Sequence, residues 1–276
     1  MNISFEFFPP NTPEGALKLR VVRQALAVAN PQFFSVTFGA GGSTRDKTFA
    51  TVQEIAQEGM AVAPHISCVG SSASSILELL QAYKAMGIKR VVALRGDLPS
   101  GMVTTGDFRY ASDLIAFIRE KTGDWFHIEA AAYPEMHPQA KSPEADLQAL
   151  VTKVRSGANS AMTQYFYNTE AFLHFRDEVA KAGLTVPLVP GIMPITNFSQ
   201  LARFSDACGA EIPRWVRMRL QSYGDDVQSI RSFGHDVVLQ MCRRLKDEGV
   251  TDLHFYTLNQ SSACLRLVDD LVGEAG

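Results

Sequence analysis

The stretch ISFEFFPP (residues 3–10) decides how the rest of the chain is read. Ile3, Phe5 and Phe7 alternate with Ser4, Glu6 and Phe8, the period-2 pattern of a strand with two unlike faces. The apolar face suits contact with helices, so the face carrying Glu6 must point the other way. A buried carboxylate without a partner costs several kcal/mol. Glu6 is therefore either half of a structural ion pair with an interior Arg or Lys, or a functional group. Burial disfavours its charged form, which suits it to hold a proton near neutral pH and act as a general acid.

Outward from this strand the pattern repeats. Further apolar runs lie at 32–38, 61–68, 90–96, 126–133, 160–166, 186–192 and 252–258, with amphipathic stretches such as EGALKLRVVRQALAVA (14–29) and ASSILELLQAYKAMG (73–87) between them. Several of those stretches end in a glycine, as a helix C-cap would. Eight strands alternating with helices in 276 residues predict an α/β chain, a (β/α)8 TIM barrel occupying 1–276 as a single catalytic domain. Residues 197–249 hold three helical patterns, read as extra helices between strands 7 and 8. An open dinucleotide-binding sheet is disfavoured, because GAGGST (39–44) fails at the last glycine of GxGxxG, and neither a P-loop nor a GxSxG elbow occurs.

Composition narrows the function. A net charge of −3 and the lack of a basic stripe argue against nucleic acid as a partner. The four cysteines (Cys68, Cys208, Cys242, Cys264) have no metal or disulfide spacing, and no apolar run could span a bilayer. With strand-like sequence starting by residue 3 and no leader pattern, the expectation is a reduced, cytoplasmic protein without a membrane partner.

In a barrel the site forms at the C-terminal ends of the strands. Glu6, Thr37, His65, Arg95-Gly96-Asp97, Tyr133, Glu135, His137, Gln164, Tyr256 and Asn259 all fall at or beyond such ends, whereas the N-terminal ends are read as lacking a comparable collection. Other readings are plainer. Ser43 and Asp46 match a capping box. Gly39, Gly41 and Gly42 suit either a ligand-hugging loop or ordinary turns, and Asp97 before Leu98-Pro99 suits a turn. His127 and His254 are read as hydrogen-bonded packing groups, His65 as a site residue. Lys153 is either a solvated helix charge or a cation reaching an anionic ligand.

The motifs FEFFPP (5–10), SVTFGAGGSTRD (35–46), APHISCVG (63–70), ALRGDLP (93–99), AAYPEMHPQA (131–140), MTQYFYN (162–168), PGIMPITNFSQ (190–200) and HFYTLN (254–259) resemble the 5,10-methylenetetrahydrofolate reductases of bacterial type. The resemblance runs through all eight proposed strands in order, over the catalytic barrel alone. It implies a flavoenzyme holding FAD at the strand C-terminal ends. NADH or NADPH reduces the flavin and leaves, and the folate substrate then enters the same space to be reduced to 5-methyltetrahydrofolate, a ping-pong scheme serving one-carbon metabolism and methionine supply. The alternative direction is oxidation of 5-methyltetrahydrofolate in one-carbon catabolism. A homo-oligomer is implied, and the regulatory C-terminal domain of the animal enzymes is not expected.

Carried over by position, Glu6 matches the general acid that protonates N10 of the folate, and Asp97 a carboxylate near pterin and flavin. Thr37 matches a nicotinamide contact. The flavin set is Phe38, His65, Arg95, Gly96, Asp97, Ala111, Tyr133, His137, Ala140, Asp146 and Lys153. Substrate contacts fall on Asp97, Gln164, Gln200, Phe204 and Gln260. The last is a departure, since familiar members carry arginine there. Thr152 is another, at a position often basic, and the usual extension before strand one is missing.

Overall fold

The structure is a computed structural model that describes residues 1–38, 42–96 and 106–273, with the backbone alone at 42–44. Eight parallel strands form a closed barrel in chain order: β1 (Asn2–Phe7), β2 (Phe33–Val36), β3 (Val62–Ser67), β4 (Arg90–Leu94), β5 (His127–Ala132), β6 (Ser160–Tyr165), β7 (Leu188–Ile192) and β8 (Asp252–Tyr256). Helices α1 (Pro13–Ala27), α2 (Gly42–Gln57), α3 (Ala73–Ala85), α4 (Ala111–Thr122), α5 (Pro143–Arg155) and α6 (Thr169–Lys181) connect the first seven strands. The three patterns between strands 7 and 8 are helices α7 (Phe198–Cys208), α8 (Arg214–Ser222) and α9 (Val227–Asp247), and α10 (Ser262–Val272) follows β8. The expected barrel and its extra helices are both present.

Local chemistry sets the element ends. Thr12 and Ser142 cap α1 and α5 through side-chain oxygens that accept from Gly15 N and Ala145 N, each followed by a proline at the first helical position. Gly87 ends the α3 segment at φ +78°, where most L-residues would be strained.

The strand alternation separates two layers. Facing outward, Ile3, Phe5 and Phe7 join the large core beneath the helices; Phe5 packs at a tilt against Phe34 and Phe255 at ring distances of 6.2 and 5.7 Å. Each fully buried phenyl ring there stabilises the fold by roughly 2–3 kcal/mol. Facing inward, Phe33, Ala63, Val92 and Met162, with Leu94 packed on them, plug the middle of the barrel. The interior is packed at mid-height and leaves room only towards the strand ends.

One expectation fails at the lower end. The N-terminal strand ends do carry a polar collection: Arg90 pairs with Glu129, Ser160 Oγ donates to Glu129 Oε2 at 2.5 Å, and His127 Nε2 lies 3.3 Å from Glu129 Oε1. These groups come from three neighbouring strands, so their meeting follows from the pairing of Arg90 with His127 and of Glu129 with Ser160. Burial alone would raise the Glu129 carboxyl. Its bond with His127, the charge of Arg90 and the Ser160 hydroxyl more than offset that and hold it below the usual carboxylate range.

Candidate active site

A cavity of about 550 Å³ opens at the C-terminal ends of the strands. Its floor is the apolar plug (Val92, Leu94, Met162), and Glu6 stands on its wall with 8% of its surface exposed. The β1 alternation therefore ran true, with Ser4, Glu6 and Phe8 on the inner face.

Among the described residues no Arg or Lys reaches Glu6, so the ion pair considered from sequence is not what holds it. Its neighbours are two imidazoles: His65 Nε2 at 3.4 Å and His254 Nε2 at 3.6 Å from Oε2. Burial pushes His65 down to about 4, a shift that the nearby Glu6 charge only partly opposes and that His254 reinforces. His65 is thus neutral at pH 7, and its Nε2 is buried without a hydrogen-bond partner. His254 is fully buried, with Nδ1 2.7 Å from Ser4 Oγ and Nε2 3.3 Å from Ser35 Oγ. It is hydrogen-bonded, as expected, but it also belongs to the Glu6 cluster, which the sequence reading missed. Closure of β8 onto β1 brings the two together. Ser35 was legible, because it shares the inner face of β2 with Phe33 and Thr37.

Five of the residues expected to hold the cofactors lie on the cavity wall. Thr37, Phe38, His65, Tyr133 and His137 line the cavity. The rings of Tyr133 and His137 pack edge to face at 4.5 Å. Asp146 Oδ2 accepts from His137 N at 2.7 Å and so fixes the loop after β5, which also carries Ala140. Arg95 lies outside the cavity wall and donates to Gln139 Oε1, a residue of that wall. Gly96 has φ +84°, and a Cβ there would sit 2.0 Å from Ser67 Oγ, so the β3 and β4 ends approach as only glycine permits. Lys153, half-buried on α5, donates through Nζ to Ala131 O at the cavity edge. Burial lowers its amine to about 8, with Asp146 opposing the shift. Ala111 opens α4, and Asp97 lies outside the described residues, as does the side chain of Ser43.

On the substrate side, Gln164 and Phe204 line the cavity. Gln164 Oε1 accepts from Tyr165 N at 3.0 Å, and Phe204 presents a ring with 37% of its surface exposed. Tyr256 donates from Oη to Thr163 O at 2.8 Å, in a niche that Gly191 leaves open: a Cβ on Gly191 would meet the Tyr256 ring at 2.6 Å. Tyr165, Met193, Cys208 and Leu258 also face the cavity and were not singled out from sequence. Two assignments fall elsewhere. Gln200 sits in the first turn of α7, off the cavity wall, and Gln260 is exposed and lines a separate, smaller cavity.

Comparison with known proteins shows the family. The family profile described as methylenetetrahydrofolate reductase matches residues 1–272. The chain belongs to the methylenetetrahydrofolate reductase family. It is 40% identical over 262 residues to 5,10-methylenetetrahydrofolate reductase of Escherichia coli strain K12, covering 95% of this chain and 87% of that protein. A rice (Oryza sativa subsp. japonica) protein named "Probable methylenetetrahydrofolate reductase (NADH)" is 37% identical, with 97% of this chain but 48% of that protein covered. Among solved structures, a Clostridium thermocellum protein that binds two copies of 5-methyl-5,6,7,8-tetrahydrofolic acid shares the fold (TM-score 0.68, 13% identity, 99% and 94% of the two chains covered). As a methylenetetrahydrofolate reductase family member the chain is an oxidoreductase of folate one-carbon chemistry. Among the described residues no helix is long and apolar enough to cross a membrane, and no group of three or more His, Cys, Asp or Glu side chains is placed to hold a metal ion.

Proposed function

We propose that the protein reduces 5,10-methylenetetrahydrofolate to 5-methyltetrahydrofolate with electrons from NADH or NADPH, passed through FAD in a ping-pong cycle. The observation that carries this reading is Glu6, a carboxyl on the wall of the barrel cavity that no Arg or Lys side chain among the described residues neutralises.

The residues present fit a flavin dinucleotide. The orphaned Nε2 of buried His65 offers one polar contact at the wall, and Arg95 and Lys153 supply cations at the rim for a diphosphate. Bound there, FAD would supply the two-electron transfer that no side chain can. Lys153, with its amine lowered to about 8, gains a reason to be charged when an anion approaches Ala131.

The chain's own part is proton handling and positioning. Glu6 is the general acid assigned to deliver a proton to N10 of the folate, whose loss of the five-membered ring leaves an iminium able to accept hydride. His65 beside it is neutral. Val92, Leu94 and Met162 keep water from the floor, Gln164 faces the pterin, and Phe204 stacks on whichever ring system occupies the cavity. Asp97 is assigned to pterin and flavin on resemblance alone, and the rice relative's name favours NADH.

The purified protein should be yellow, bleached by NADH without oxygen and recoloured by 5,10-methylenetetrahydrofolate. A colourless protein that takes up no added FAD would refute the proposal. Glu6→Gln should leave bleaching by NADH intact while slowing recolouring by about 10²–10⁴-fold. Equal loss in both half-reactions would make Glu6 structural.

A further inference from the structure

Each turnover of the proposed reaction consumes a proton besides the hydride, and Glu6 must recover that proton from solvent before the next cycle. The cavity that Glu6 faces is the one that cofactor and substrate would fill. A second way to its carboxyl leads through the barrel from below.

A cavity of about 170 Å³ opens at the N-terminal ends of the strands, and Ser4 is part of its wall. Ser4 Oγ lies 2.7 Å from His254 Nδ1, and His254 Nε2 lies 3.6 Å from Glu6 Oε2 in the upper cavity. Strand register makes this file. Ser4 is the partner of His254 across the β1–β8 seam, and Glu6, two residues further on, shares the inner face of β1. One imidazole with no exposed surface thus links the cavities of the two mouths. It crosses a layer otherwise plugged by Phe33, Ala63, Val92 and Met162.

Each member can both take and give a proton. Ser4 Oγ has Leu253 O at 3.4 Å as a second acceptor, so its hydroxyl hydrogen can turn towards His254 or away from it. His254 presents a different nitrogen to each neighbour, and Ser35 Oγ, 3.3 Å from Nε2, gives that nitrogen a partner at rest. The 3.6 Å step to Glu6 is longer than a hydrogen bond, and such proton-transfer contacts often tighten once substrate is bound.

Resting on the reading of Glu6 as the general acid, we infer that Ser4 and His254 form a relay that reprotonates Glu6 from the lower mouth while ligand fills the upper one. Solvent in the lower cavity gives a proton to Ser4 as Ser4 passes its own to His254 Nδ1. The proton on Nε2 then moves to the Glu6 carboxylate. One proton enters from solvent, one reaches Glu6, no electrons move, and the imidazole ends neutral.

The timing of proton uptake tests this. Reduced holoprotein is mixed without oxygen with 5,10-methylenetetrahydrofolate in weakly buffered solution, and a pH-indicator dye reports the uptake. Added 5-methyltetrahydrofolate keeps the upper cavity occupied after the chemical step. In the wild type, uptake should keep pace with recolouring of the flavin at every concentration of added product. In Ser4→Ala it should lag behind recolouring, by an interval that lengthens as more product is added. His254→Phe, which removes both nitrogens, is the second variant, and the wild-type series decides on its own if neither variant folds. A lag in the wild type, or none in either variant, would overturn the relay and leave the reductase reading standing. A wild type that the folate does not recolour would instead sink the reductase reading itself, and the relay with it.

Discussion

Glu6 is held by what surrounds it more than by any direct bond. Two imidazoles stand within 3.6 Å of its carboxyl, and burial keeps one of them, His65, neutral. The same burial has a consequence for stability. His65 has its ordinary value near 6.5 when unfolded and about 4 when folded, so between those values the unfolded chain binds more protons. Stability is therefore fully retained above pH 6.5 and declines as the pH falls towards 4. Urea midpoints at pH 7, 5.5 and 4.5 should fall for the wild type and fall less for His65→Asn. Parallel declines in the two proteins would show that His65 is not the group responsible.

At the scale of elements, the two mouths of the barrel are built on opposite rules. The upper mouth leaves polar atoms open, such as His65 Nε2. At the lower mouth Glu129, 1% exposed, is satisfied by Arg90, His127 and Ser160 on β4, β5 and β6. Such a network ties neighbouring strands together and reads as stability, not catalysis. Because the Glu129 carboxyl lies below its usual range when folded, its contribution is present above about pH 4.5 and is lost as the pH falls further, a window below that of His65. Glu129→Gln should lower the unfolding free energy at pH 7 by about 1–3 kcal/mol, because Arg90 and His127 lose a charged acceptor. Urea denaturation measures this, and the flavin half-reaction should be untouched. A loss of turnover without loss of stability would move the cluster out of the scaffold.

In the whole molecule, the barrel was legible because eight short apolar runs alternate with amphipathic stretches, several of them ending in glycine. Thr37, Tyr133, His137 and Gln164 were legible because each sits at or beyond a strand end, whereas Phe38 came from the family resemblance alone. What local pattern could not reveal depends on closure: His254 meets Ser4 across 250 residues of sequence, and Arg90 meets Glu129 only once β4 and β5 are in register. The seam between the first and last strands is fastened at both ends by asparagine. Asn2 Nδ2 donates to Asp252 Oδ1 at 3.0 Å below. Above, Asn259 accepts from Phe8 N at 2.9 Å and donates to Phe8 O at 3.0 Å, two residues from Glu6. Asn259 also has φ +57°, a left-handed conformation that asparagine tolerates and alanine resists. Asn259→Gly keeps the backbone and removes the two bonds, at about 1–2 kcal/mol; Asn259→Ala adds roughly 1 kcal/mol of backbone strain. Both should slow the folate half-reaction, because the loop that follows Glu6 loses its anchor, and urea titration should rank wild type above Gly above Ala. If the alanine variant is as stable as the glycine one, the left-handed turn is not what asparagine is there to supply. If neither variant slows the folate step, the upper end of the seam fastens the barrel without positioning Glu6.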